Sequence, residues 1–327
     1  MTFLSLELLT APRLEQDVCT FYKEVRFKRH DPALSYQEQS NAVIGTFRTA
    51  LLQYFKDWNV MMVSHRDYDL SFWSSTFRKV YTSVLYEHGI AHFYPAGEKN
   101  ETWFWLINQI AFKLQKLFKT TGFIEMLNKV NNDYEKRMDK IRTSYRSTSE
   151  LSVDAVNLRF NLGFYDQFNE FMDIQLVMKM FNIFEKQLKM QAWYRAQSVF
   201  TLYHVFRDVK QNRYVICLFL TIDKVMYSVD TKYDYLISQL WNRVTDGYVR
   251  LLHSTGHSSI DFNTSGYITP LIVGGNDIFN ASNAMNPLDY LDSLPTNETA
   301  FDESSKKICV LNMGASALKG FSAMKGC

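Results

Sequence analysis

The middle of the chain contains two short apolar runs joined by a polar segment. Residues 199–206 and 214–221 are rich in β-branched and aromatic side chains, and the polar stretch 207–213 between them predicts a hairpin. The second run is almost continuously apolar, which is typical of a central strand covered on both faces. Asp230 and Thr231 then favour the start of a helix. Its apolar positions repeat every three or four residues, and they are Tyr233, Leu236, Ile237, Leu240, Trp241 and Val244.

Residues 1 to about 145 show the spacing of amphipathic helices. The periodicity predicts helices over 37–58, 69–88 and 102–118, and Gly89 predicts the end of the second one. Residues 59–64 favour either a short strand or the end of a helix.

The stretch 128–146 is a further predicted helix, and it is dense in charge. One interpretation is a solvated face with i,i+4 ion pairs, and the other is a basic helix face that contacts a phosphate backbone. Ser147, Thr148 and Ser149 are expected to end this helix, and we place the domain boundary there. The basic residues of the helix are Lys129, Lys136, Arg137, Lys140, Arg142 and Arg146.

The second half of the chain alternates between the two-residue period of strands and the 3.6-residue period of helices. Residues 153–162 alternate apolar and polar side chains, which predicts a half-buried strand. A helix over 166–190 follows, and after the hairpin and its helix a last strand is expected at 266–269. This β-α-β-β-α-β order matches a ferredoxin-like split βαβ sheet. Beyond it we expect a short helix at 283–294 and an edge strand at 308–311.

The sequence therefore predicts an α+β protein of three parts. A helical N-terminal domain occupies 1–146, a ferredoxin-like split βαβ antiparallel-sheet domain occupies 147–275, and a C-terminal extension, partly loop, occupies 276–327. With 327 residues, of which 46% are hydrophobic and 15% aromatic, the chain is long and apolar enough for two folded cores.

Composition limits where the protein works and what it binds. The formal net charge is +2, so any contact with nucleic acid must come from a local basic patch. The four cysteines have no metal-ligand spacing, and we expect reduced thiols in a cytoplasmic protein. No apolar run approaches the ~20 residues of a membrane span, so no membrane partner is expected.

A resemblance to a known family is carried by five segments of the second half, 152–160, 214–220, 238–241, 251–253 and 288–291. Their order and spacing resemble the YagK/YfjJ C-terminal domain family, which is found in inovirus and prophage gene sets. The resemblance covers about residues 140 to 320.

This resemblance implies a relationship to rolling-circle replication initiators. In those proteins a His-apolar-His pair on a central strand holds a divalent metal, and a helix tyrosine attacks the DNA phosphate. The metal polarises the phosphate, and the tyrosine conserves the bond energy in a covalent link. At the matching place this chain has Asn212, Arg213 and Tyr214, which are poor replacements for two imidazoles. A divalent metal is expected only if nicking is retained, and enzyme activity stays an open question.

The resemblance also indicates candidate site residues. Tyr235 and Tyr233 lie on or beside the helix where a nucleophilic tyrosine is expected. Tyr233 falls on the apolar stripe, which favours core packing, whereas Tyr235 lies off the stripe and is expected to be exposed. The candidate DNA contacts are Arg159, Arg213, Lys232, Lys224 and Arg142.

Two histidines do not match a catalytic pattern. His204 lies within a predicted strand, where a hydrogen-bonded structural histidine is expected. His65 forms a loop cluster with Asp67 and Asp69 whose spacing matches no hydrolase.

The expected function is that of a phage or mobile-element replication-associated protein that binds single-stranded DNA. Host or phage replication proteins are candidate further partners. The alternative is a non-enzymatic interaction or assembly factor, in which the aromatic-rich helical half mediates assembly. A third hypothesis is an active nickase with a different metal site. Salt-dependent affinity for oligonucleotides distinguishes the first two.

Overall fold

The computed structural model describes residues 6–66, 68, 70–90, 100–151, 156–164, 172–208, 213–223, 233–254, 266–273, 287 and 318–323. The chain divides into two compact units, and the division along the sequence falls after Asp133. This point lies inside a helix and upstream of the predicted boundary at 146/147. None of the described helices is long and apolar enough to cross a bilayer.

The first unit is built from helices. A π-helical turn, Leu6–Thr10, leads into α1, and the last helix, α6, begins in this unit and ends in the second. The bounds are α1 Ala11–Phe27, α2 Tyr36–Leu52, α3 Phe55–Ser64, α4 Phe72–Glu87, α5 Asn100–Phe118 and α6 Thr121–Leu151.

Local signals set several helix ends. Ser35 and Glu38 form a capping box at the start of α2, in which each side chain bonds the other residue's backbone amide. Gly89 ends α4 with a positive φ of 68°, and the Ile90 amide donates to the Leu85 carbonyl at 2.9 Å. This is the left-handed glycine stop that the sequence predicted.

The strand considered for residues 59–64 is wrong, because these residues belong to α3. Its buried side chains include Trp58, Met61 and Met62, and they follow the helical period. The indole of Trp58 also donates to the Leu51 carbonyl at 3.0 Å. The predicted helix over 37–58 is correspondingly two helices, α2 and α3.

The predicted helix end at 147–149 is also wrong, because α6 continues to Leu151. Serine and threonine break helices when their side chains compete for backbone groups, but they also fit inside a helix when they bond backward. The Ser147 hydroxyl does this by donating to the Ser144 carbonyl at 3.0 Å.

The second unit combines helices with an antiparallel sheet, which confirms the α+β class. The strand order is β4-β1-β3-β2-β5, and all neighbouring strands are antiparallel. The bounds are β1 Val156–Phe164, α7 Ile174–Met190, α8 Ala192–Gln197, β2 Ser198–Asp208, β3 Arg213–Ile222, α9 Tyr233–Ser254, β4 Gly266–Val273 and β5 Leu318–Ala323.

The predicted strands at 153–162, 199–206, 214–221 and 266–269 each correspond to one of β1 to β4, and β5 was not predicted. The helix expected over 166–190 is present as α7 from Ile174, where Asp173 caps it by accepting from the Leu176 amide at 2.7 Å, and residues 166–171 lie outside the described residues. The helix expected at 283–294 (apart from Pro287) and the strand expected at 308–311 lie outside the described residues.

The two faces of the sheet pack against different helices. On one face, Trp241 of α9 packs against Phe164 of β1 and Phe184 of α7, with ring centroids 5.3 and 5.5 Å apart. The other face packs against the second half of α6. The cluster there comprises Met138, Ile141 and Tyr145 with Phe200, Leu202, Cys217 and Phe219.

Candidate nucleic-acid interface

The second half of α6 is amphipathic, with one face packed on the sheet and an exposed face that carries charged side chains. Its buried residues dock on the sheet, and its opposite side is exposed to solvent. Four of the exposed residues follow one another at spacings of four, three and four, so they form one stripe along the helix. They are Lys136, Lys140, Thr143 and Ser147, and Glu135, Asp139 and Arg146 are exposed beside this stripe.

This part of α6 concentrates positive charge that the whole chain lacks. Residues 134–147 contain five basic and two acidic side chains, a surplus of three positive charges, whereas the chain carries only +2. Lys136 and Lys140 form no ion pair within the part of the chain that the structure describes. Arg142, a predicted DNA contact, is half-buried, and its Nη1 lies 3.3 Å from Asp139 Oδ1. The exposed cations are therefore available to an anionic partner.

Arg159, another predicted DNA contact, lies on the face of the sheet that α6 covers. Its Nε donates to the Sγ of Cys217 at 3.2 Å, and its guanidinium carbon lies 5.5 Å from the centre of the Phe219 ring. His204 is the cross-strand partner of Cys217. Burial, together with the charge of Arg159, lowers the pKa of His204 to about 3. Arg159 is thus half-buried and held by the sheet, and its charge acts on a buried neutral histidine.

The two candidate nucleophiles differ in accessibility, as their positions relative to the apolar stripe predicted. Tyr233 is only 4% exposed; its hydroxyl donates to Gln197 Oε1 at 2.9 Å and its ring packs against Trp193. Tyr235 is 56% exposed, and its phenol oxygen accepts a hydrogen bond from Gln239.

The structure brings together only part of the predicted site. Arg142 and Arg159 belong to the side of the sheet covered by α6, whereas Tyr233 and Tyr235 begin α9, which packs on the opposite face. Arg213 is the first residue of β3, and the backbone register places it opposite Asp208 of β2. The remaining predicted DNA contacts lie outside the described residues, and they are Lys224 and Lys232. Asn212, which stands where the histidine pair is expected, also lies outside them.

A metal centre does not emerge from the described side chains. Among them, no group of three or more His, Cys, Asp or Glu residues is placed to hold a metal ion.

One surface was missed by the sequence reasoning. In the first unit, the run from Arg26 to His30 is exposed throughout and alternates cations with an aromatic ring. The signal was present in the sequence, because cations interleaved with aromatic side chains are typical of single-strand binding surfaces.

Comparisons of the chain with protein-family models, with curated proteins and with solved structures each find no match.

Proposed function

We propose that this protein binds single-stranded DNA as a replication-associated protein of a phage or mobile element. The exposed cations of α6 supply the phosphate contacts, and cleavage is not part of the activity. The observation that carries the proposal is the surplus of three positive charges on residues 134–147, with Lys136 and Lys140 exposed on the side away from the sheet. We place the protein in the cytoplasm, with host or phage replication proteins as candidate partners.

The proposal includes a ferredoxin-like arrangement of the sheet unit, of the YagK/YfjJ type. The order β4-β1-β3-β2, with β1 and β2 separated by the antiparallel β3, supports it. So do α7 and α9, since each connects strands of the sheet and both pack on the same face. In this chain α6 also covers part of the other face. Nucleic acid then meets the outer surface of α6 in place of the sheet residues beneath it.

Two features support binding without cleavage. First, the exposed Tyr235 and the cations of α6 belong to opposite sides of the sheet, so a strand held on α6 does not present its phosphates to this tyrosine. A nucleophile must lie within a few ångströms of the phosphorus that it attacks. Second, the sequence Asn212-Arg213-Tyr214 supplies no imidazole pair for a metal.

The first experiment measures binding of fluorescently labelled oligothymidylate to the purified full chain by anisotropy at several salt concentrations. Single-strand binding falls with salt by a logarithmic slope of about 0.7 for each phosphate neutralised. Lys136→Ala/Lys140→Ala should therefore weaken binding and reduce this slope by about 1 to 1.5. The matched control is Lys179→Ala/Lys186→Ala on α7, which removes two exposed lysines from the same unit and should leave the slope near that of the wild type.

Loss of affinity in the α7 control equal to that in the α6 variant would overturn the assignment of α6. Absence of salt-dependent binding by the wild type would sink the DNA-binding proposal and favour the interaction protein. Phe104 and Phe112 of α5, which are 41% and 44% exposed, would then be the first surface to test.

The second experiment tests for cleavage. A labelled single-stranded DNA hairpin is incubated with the protein and manganese and then run on a denaturing gel. We expect no protein-linked label. A covalent band that disappears in Tyr235→Phe would establish tyrosine-dependent nicking and overturn the binding-only part of the proposal.

A further inference from the structure

The connection between α1 and α2 places cations and aromatic rings together at the surface of the helical unit. Phe27 is 66% exposed and Tyr36, the first residue of α2, is 78% exposed. Rings left this open to solvent beside cations form a surface suited to a ligand that is both flat and anionic. We name this surface the α1–α2 corner, and its members are Arg26, Phe27, Lys28, Arg29, His30 and Tyr36.

Two of the rings already form a stacked pair. The centroids of His30 and Tyr36 are 4.1 Å apart and their planes differ by 10°. The outer member of such a pair offers a flat face of fixed orientation. Base–aromatic stacking requires such a face and tolerates any base sequence, because every base has a π-face.

The corner is exposed and yet held in place. The side chain of Gln39 donates to the Arg29 carbonyl at 2.9 Å, accepts from the Asp31 amide at 3.1 Å, and lies 2.8 Å from Nδ1 of His30. One amide group from α2 thus fixes three consecutive residues of the connection. A surface fixed before binding loses less conformational freedom when its ligand arrives.

The cations of the corner are unneutralised. Within the part of the chain that the structure describes, Arg26, Lys28 and Arg29 form no ion pair with a carboxylate. The neighbouring carboxylates, Asp31 and Glu38, are occupied by the connection itself. Asp31 accepts from the Ala33 amide. Glu38 accepts from the amide and hydroxyl of Ser35, and these bonds lower its pKa.

We propose that the α1–α2 corner is a binding surface for single-stranded nucleic acid. A base stacks on the Tyr36–His30 pair or on Phe27, and the flanking phosphates are bound by Arg26, Lys28 and Arg29. The inference rests on the proposed function and adds to it a second contact surface, in the helical unit. An acidic protein would use the cations alone, and the rings are what favour a nucleic acid.

The test uses the anisotropy assay with labelled oligothymidylate and the full chain. Tyr36→Ala should weaken binding about tenfold without changing the salt slope, because it removes a stack and no charge. Tyr36→Phe keeps the ring and should retain the wild-type affinity. Lys28→Ala/Arg29→Ala should weaken binding and reduce the slope by about 1.4, because two phosphate contacts are lost.

The matched control comes from α4 in the same unit. Tyr86 is 86% exposed and Lys79 is exposed, and both lie on that helix. Lys79→Ala/Tyr86→Ala therefore removes one exposed ring and one exposed cation, and it should bind like the wild type. All variants replace exposed side chains, and a thermal unfolding curve for each one confirms that it is folded before its affinity is compared.

The outcomes separate this inference from the proposed function. If the wild type binds and Lys136→Ala/Lys140→Ala weakens it, but the corner variants match the α4 control, the corner is overturned and the α6 interface stands. If Tyr36→Ala has no effect and polyglutamate competes as well as unlabelled oligothymidylate, the corner is a general polyanion surface and the stacking proposal fails. If the wild type binds no oligonucleotide, both proposals fail together.

Discussion

The side-chain amide of Asn157 on β1 donates a hydrogen bond to the phenol oxygen of Tyr145 on α6, at 3.0 Å. The Thr221 hydroxyl on β3 donates to Oδ1 of the same asparagine at 2.7 Å, and Thr221 is its cross-strand partner. Asn157 therefore joins the helix to two strands of the sheet. Because α6 carries the exposed cations, this contact also fixes the direction in which they face.

Removing the asparagine should destabilise the protein more than removing the phenol. Asn157→Ala takes away the acceptor of Thr221 and the donor to Tyr145 in a half-buried site, and we expect a loss of about 2 kcal/mol in the free energy of unfolding. Tyr145→Phe removes the hydroxyl that both accepts from and donates to Asn157 but leaves the bond from Thr221 in place, and it should cost about 1 kcal/mol. Urea unfolding of both variants measures the difference. Ser147→Ala, at an exposed position of the same helix, is the control, and a loss there as large as that of Asn157→Ala would contradict the assignment.

Two glycines should respond to alanine with opposite signs. Gly89 has a φ of +68°, and Gly45 lies inside α2; in neither case would an added Cβ meet an atom within 4 Å. The difference is therefore one of backbone conformation. Gly89→Ala should destabilise by about 1 kcal/mol, because alanine is strained in the left-handed region. Gly45→Ala should stabilise by up to about 1 kcal/mol, because it favours the helix. Thermal unfolding of the two variants measures the change in stability. A change of the same sign in both variants would refute this account.

Periodicity predicted the secondary structure well where one face is fully apolar. Val156, Leu158 and Phe160 are buried in alternation along β1, as the two-residue period indicated. What the pattern could not predict was the covering of the other face. Asn157 and Arg159 are the polar positions of the same strand. Polar side chains on one face of a strand fit equally well against solvent or against a covering helix that supplies hydrogen-bond partners, so the pattern does not distinguish the two.

Long-range pairs were likewise outside the reach of local patterns. His65 was grouped with Asp67 and Asp69, its neighbours in sequence, and both aspartates lie outside the described residues. The structure instead places its Nε2 3.3 Å from Oε1 of Glu7, and both side chains are fully buried. Fifty-eight residues separate the two, and Glu7 stands in an apolar N-terminal run that gave no reason to expect a buried carboxylate.

The two cysteines of the described chain should be unreactive in the native state. Cys19 and Cys217 are free and buried, and burial raises the pKa of the Cys19 thiol to about 11. Because the thiolate is the reactive form, alkylation at pH 8 should be slow at both residues. Brief iodoacetamide treatment followed by peptide mass spectrometry should label Cys19 and Cys217 only after denaturation. Equal labelling of Cys19 with and without denaturant would show that this site is open.

The buried His204 should make stability depend on pH. Its pKa is lowered to about 3 by burial and, to a smaller extent, by the charge of Arg159, whereas in the unfolded chain it lies near 6.5. Between these values the unfolded state binds a proton that the folded state does not. The free energy of unfolding is therefore fully retained above pH ~6.5 and falls as the pH drops towards 3, by at most about 1.4 kcal/mol per pH unit.

Substitutions can separate the contribution of His204 to the pH dependence of stability from that of other groups. His204→Phe removes the ionisable group, so urea unfolding between pH 2.5 and 7 should give a smaller slope of the unfolding free energy against pH than in the wild type, whatever its stability at pH 7. Arg159→Met removes the neighbouring positive charge, so it should raise the pKa of His204 and narrow the affected range from its acidic end. An unchanged slope in His204→Phe would show that other groups, the carboxylates above all, cause the acid sensitivity. An unchanged acidic limit in Arg159→Met would show that burial alone keeps the imidazole neutral.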